Sequence, residues 1–108
     1  MKLDIDEILA DMLSAIKGTV TENWKEVKST ANQFLQNKKE RLELLAELRI
    51  NNDLTQEKFE SYLEDEKLVL EAELHAIAII SKAIAQKATN AAIAVLEKAI
   101  KTIISSVV

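Results

Sequence analysis

A chain with no proline and a single glycine, Gly18, has few ways to turn. Sheets reverse direction about every ten residues, and those reversals draw on Gly, Pro, Asn and Asp. In this chain such residues cluster at Asn51-Asn52-Asp53. Ala, Leu, Ile, Glu and Lys dominate elsewhere, and most of these favour helix. The expectation is an all-α fold, and 108 residues suit one domain.

Asp4, followed three residues later by Glu7, reads as a capping box, with Leu3 and Ile8 placed as a hydrophobic staple. An apolar stripe then runs Ile5, Leu9, Met12, Ile16, Val20, Trp24, Val27, Ala31, Phe34, and continues at Leu42, Leu45 and Leu48. Its steps average about 3.6 residues, the period of an α-helix. Gly18 is the one reason for a break, with Thr19 and Glu22 able to cap a new helix. The stripe passes Gly18 in phase, however, and one glycine costs only about 1 kcal/mol. The pattern therefore predicts one helix over about 4–50, a turn at 51–54 and a second helix over about 55–105. Thr55 would cap the second helix, and Leu54 with Phe59 would staple it. Two helices of about 45 residues form an antiparallel rod about 70 Å long, a single helical-hairpin domain over 1–108. The stretch Asn51 to Leu63 resembles the turn of short bacterial helical-hairpin modules such as the SHOCT element; the likeness implies a helix–turn–helix there and no function.

Burial then becomes the question. One face of the second helix holds Ile77, Ile80, Ile84, Ala88, Ala91, Val95 and Ala99. Facing the first helix, it predicts a hairpin core of Trp24, Val27, Phe34, Ile77, Ile80, Ile84 and Val95. A second stripe, Leu68, Ala72, Ile79, Gln86, Ile93, Ile100, Ile104 and Val107, lies on roughly the opposite side. One partner helix covers one stripe, so the second stripe predicts a contact between copies. Each exposed isoleucine forfeits about 1.5–3 kcal/mol relative to burial. The expectation is a homo-oligomer, a four-helix or larger bundle of hairpins, with Gln86 fixing register or tolerated at its edge. Around the turn, the Lys38–Arg41 cluster should lie beside Glu64–Glu66 as solvated ion pairs.

Chemistry is sparse. The chain has no cysteine, which removes thiolate chemistry and Cys-based metal sites. His75 is the only histidine and stands four residues from Glu71, a spacing that can hold a metal, so Glu71 and His75 are the weak metal candidates. Di-metal bundles use Glu-x-x-His instead, and Ala72 stands where that glutamate would be. No nucleophile–base pair or Gly-rich phosphate loop is visible, so neither catalysis nor a cofactor is expected. A net charge of −4 with interspersed signs argues against nucleic acid as a partner. The acidic N-terminus is unlike a secretory signal and no uncharged stretch is long enough to span a bilayer, so the expected location is cytoplasmic. The leading functional expectation is a non-enzymatic, self-assembling structural or interaction protein whose main partner is itself. A membrane-surface protein using Lys82, Lys87, Lys98 and Lys101 comes second, and a metal-binding bundle third.

Overall fold

The first helix begins at its cap. Asp4 takes extended backbone and its carboxylate accepts the Glu7 amide at 3.1 Å, satisfying one of the amides that a helix start leaves open. Helix α1 then runs Ile5–Thr19 in the computed structural model, which describes residues 3–77 and 80–107. Gly18 lies inside the last turn of α1 and does not break it. The break comes at a run of β-branched residues, Thr19-Val20-Thr21. The Thr19 hydroxyl donates to the Ile16 carbonyl at 2.9 Å, and Val20 swings into extended backbone with its side chain buried. Asn23 follows with φ 59°, left-handed backbone that short polar residues tolerate. Helix α2, Trp24–Ile50, starts there.

Asn52 is also left-handed, with φ 62°, and the Asp53 amide donates to the Leu48 carbonyl at 2.8 Å. Thr55 then caps α3, Gln56–Ala76, its hydroxyl oxygen accepting the Lys58 amide at 3.2 Å. Ile77 closes α3, its amide donating to the His75 carbonyl. Ser81 restarts the chain, its Oγ accepting the Ile84 amide at 3.2 Å, and α4 runs Lys82–Val107. Losing such a cap costs about 1 kcal/mol. Ser81→Ala is expected to lower unfolding free energy by about that amount, with the urea midpoint falling and the slope unchanged.

Four helices of 15, 27, 21 and 26 residues thus replace the two long helices predicted from the hydropathy pattern. The antiparallel hairpin of two 45-residue helices is incorrect. The fold is an all-α four-helix bundle measuring 43 × 23 × 20 Å, not a rod. The physical reason is the surplus of apolar surface noted above. A two-helix rod covers one stripe per helix, whereas two extra turns let each half fold back and cover more within one chain.

Successive helices alternate in direction. Lys39 of α2 reaches Asp6 near the start of α1 at 2.7 Å, and Arg41 of α2 reaches Glu66 of α3 at 2.6 Å. Helix α4 packs against all three others, most extensively against α1, while α1 and α3 sit on a diagonal with no Cα pair within 8 Å among the described residues. The buried face of α4 is Ala85, Ala88, Thr89, Ala92, Ile93, Leu96, Ile100 and Ile103. Its alanines allow close approach of Ile5, Ile8, Leu9, Met12 and Ile16, the buried residues of α1. Val27, Ala31, Phe34, Leu35, Leu42, Leu45 and Ala46 of α2 and Phe59, Leu63, Leu70 and Leu74 of α3 complete the core.

Candidate functional site

With this much apolar surface inside, the large apolar side chains left outside are informative. Among the described residues they are Leu44 at 54 % exposure, Leu68 at 53 %, Val69 at 42 % and Tyr62 at 40 %. All four belong to α2 or α3, and none to α4. Tyr62 and Val69 are two helical turns apart on the flank of α3 that faces α2. The Arg41 guanidinium stands 6.0 Å from the Tyr62 ring centre, at the outer reach of a cation–π contact. Leu44 is three residues from Arg41 and shares its face of α2. Leu68, with the exposed Ala72 and Ala76, continues the surface over the crest of α3. The seam between α2 and α3 therefore carries a strip of exposed apolar side chains, interrupted by the exposed Arg41 and Asp65.

Beneath this strip lies a buried charge. Glu66 projects from the core face of α3 and is 5 % exposed. One carboxylate oxygen accepts from Arg41 Nε at 2.6 Å. The other faces Lys38 Nζ at 3.5 Å, an ion pair too long for a good hydrogen bond, and makes no hydrogen bond. The sequence places these charges side by side as solvated pairs; the structure puts the carboxylate inside. Arg41 links the layers, holding Glu66 below and lying over Tyr62 above.

The residues expected to form a contact between copies are dispersed. Leu68 and Ala72 are exposed on α3, and Gln86 is exposed on α4. Ile93 and Ile100 are buried within the chain itself, and Ile104 is half-buried against the core. Ile79 lies outside the described residues, as does the side chain of Val107. Helix α3 takes the place assigned to a second copy, so Ile93 and Ile100 no longer require an external partner. Of the expected hairpin core, Val27 and Phe34 are buried, while Trp24, Ile77, Ile80, Ile84 and Val95 are half-buried around the core edge. Glu71 is half-buried and His75 exposed on α3, and no group of three potential metal ligands occurs among the described residues. No helix of the described residues is long and apolar enough to cross a membrane.

Two grooves flank α4. One, of about 680 Å³, lies against α3, with Phe59 and Ile100 at its floor and Glu60, Glu97, Lys101 and Arg49 around it. Burial pushes the Glu97 carboxyl above the ordinary range, the Glu60 charge adds to this, and Lys67 opposes it. A raised folded-state value means that the folded chain holds this proton more tightly than the unfolded chain does. Stability is therefore lost as pH rises from the ordinary carboxylate range through the raised value. Glu97→Gln is expected to raise the melting temperature slightly at pH 7, with the gain vanishing in acid where Glu97 is already protonated. The other groove, of about 510 Å³, lies between α1 and α4.

No protein-family model matches the chain, and no curated protein or solved structure matches it either.

Proposed function

We propose that this chain is a non-enzymatic interaction protein that self-associates through the outer face of α2 and α3. One observation carries the reading: the exposed large apolar side chains, Leu44, Tyr62, Leu68 and Val69, all lie on these two helices. Apolar patches of this kind mark contact sites on soluble domains. A standard interface buries roughly 800 Å² per partner around a centre rich in tyrosine and arginine. Tyr62 with Arg41 across it suits such a centre, and Leu44 and Val69 suit its surround. Leu68 and Ala72, which the sequence assigned to a contact between copies, belong to this face. The non-enzymatic part of the reading rests on the sequence, which offers one histidine and no cysteine.

Two-dimensional amide spectra recorded over a dilution series test the location. Signals of Leu44, Tyr62, Leu68 and Val69 and their neighbours should shift with concentration. If signals on α2 and α3 stay fixed while the protein is diluted from millimolar to micromolar, the face is not a contact.

A further inference from the structure

The groove between α1 and α4 lies on the side of the bundle opposite the α2–α3 face, since α1 and α3 are diagonal. Its floor is apolar: Ile8 and Ile103 are buried, and Val95 and Ala99 are half-buried. Its two banks differ in charge. Asp4, Glu7 and Asp11 line the α1 side, and Lys98 and Thr102 the α4 side. Among the described residues, Glu7, Asp11 and Lys98 make no ion pair. The geometry points to a second copy of this chain as the occupant, docked groove to groove with Lys98 of each copy against Glu7 and Asp11 of the other.

Symmetry supplies the register. Helices α1 and α4 run antiparallel, so along the groove Asp4 stands level with Thr102 and Asp11 with Val95. A two-fold axis parallel to the helices, lying in the contact plane, sets α1 of one copy over α4 of the other. Such a rotation leaves every height unchanged. Lys98 therefore meets the partner's α1 between Glu7 and Asp11, and the arrangement holds twice because the contact is self-complementary. The other two-fold in that plane sets α1 on α1 and brings acid onto acid, which charge repulsion disfavours. Half-buried Ala15 and Ala91 beside the groove offer little bulk to keep the helices apart. This inference rests on the self-association reading and adds a second contact to it. Two self-complementary contacts on opposite faces build an open-ended row rather than a closed dimer.

The test isolates this contact by working in a Leu44→Glu, Val69→Glu background, which removes the α2–α3 contact. Sedimentation equilibrium on that protein should still show a dimer at high concentration. Adding Lys98→Glu should weaken it by about tenfold or more, and adding Glu7→Lys with Asp11→Lys should do the same. Mixing these two charge-reversed proteins should restore association, because each ion-pair set then joins opposite charges again, one with its native signs and the other with the signs exchanged. Circular dichroism confirms that each variant is folded before mixing. A background protein that stays monomeric, or a mixture that associates no better than its separate components, would overturn the α1–α4 contact. Either result would leave the α2–α3 reading standing, since that reading is judged on the unaltered chain.

Discussion

Arg41→Ala is expected to destabilise the protein by about 3 kcal/mol, while Glu66→Met should leave its stability unchanged or raise it. The asymmetry follows from where the charge sits. Glu66 is 5 % exposed, and among the described residues Arg41 Nε is the one donor that hydrogen-bonds it. Removing Arg41 leaves a buried carboxylate with only the long Lys38 contact. Breaking a buried pair from one side typically costs about 3–5 kcal/mol; the low end applies because the Arg41 side chain is itself 48 % exposed and Lys38 retains part of the interaction. Replacing Glu66 with a thioether of similar size removes the charge and its desolvation together. In the double variant the loss of Arg41 should matter far less, because no buried carboxylate remains to be stranded; urea unfolding of all four proteins measures this coupling. A loss below about 1 kcal/mol for Arg41→Ala would mean that Glu66 is solvated, as surface pairs are.

The second large effect concerns α4. Leu96→Ala is expected to cost about 2–5 kcal/mol, because Leu96 is fully buried and its removal leaves a cavity. Its neighbour Val95 is half-buried at the edge of the α1–α4 groove, and Val95→Ala should cost about 1 kcal/mol or less. The ordering discriminates between two phases of the same helix. If the α3 stripe continued unbroken into α4, Val95 would face the core and Leu96 would not. Equal costs, or a larger cost at Val95, would contradict the four-helix packing.

That phase shift also explains what the sequence conceals. The core face of α3 is Phe59, Leu63, Glu66, Leu70 and Leu74. Extended at the same period, it arrives at Ile77, Ile84, Ala88, Ala91 and Val95. The new helix start at Ser81 resets the period, and the core face resumes at Ala85, Ala88, Ala92, Leu96 and Ile103. Ala85, Ala88 and Ala92 open that face, so no bulky residue marks where it begins. The only local sign is Ser81, a good N-cap set in an otherwise apolar run. Similarly, the stripe of α1 enters α2 in phase through Val20 and Trp24, hiding a turn whose signal is the β-branched run ending at Thr21 and then Asn23. By contrast, the Asp4 cap, the Thr55 cap and the turn at Asn51-Asn52-Asp53 are legible, because each depends on side chains within a few residues of one another.

The candidate site divides the same way. The closeness of the Lys38–Arg41 cluster to Glu66 follows from counting back from the turn, but the burial of Glu66 does not, because burial depends on all four helices. The second apolar stripe is real surface in the sequence, yet Ile93 and Ile100 face inward once α3 and α4 are separate helices. The outward residues Leu44, Tyr62 and Val69 could not be separated from core residues by type alone.

Absolute mass in solution, by light scattering on a sizing column from micromolar to millimolar protein, tests most directly whether copies meet through α2 and α3. The unaltered chain should exceed its 12.1 kDa monomer mass and grow heavier with concentration, and a folded Leu44→Glu, Val69→Glu variant should be lighter at every concentration. A chain that stays at 12.1 kDa throughout, or a variant whose mass matches the unaltered chain, would contradict the account.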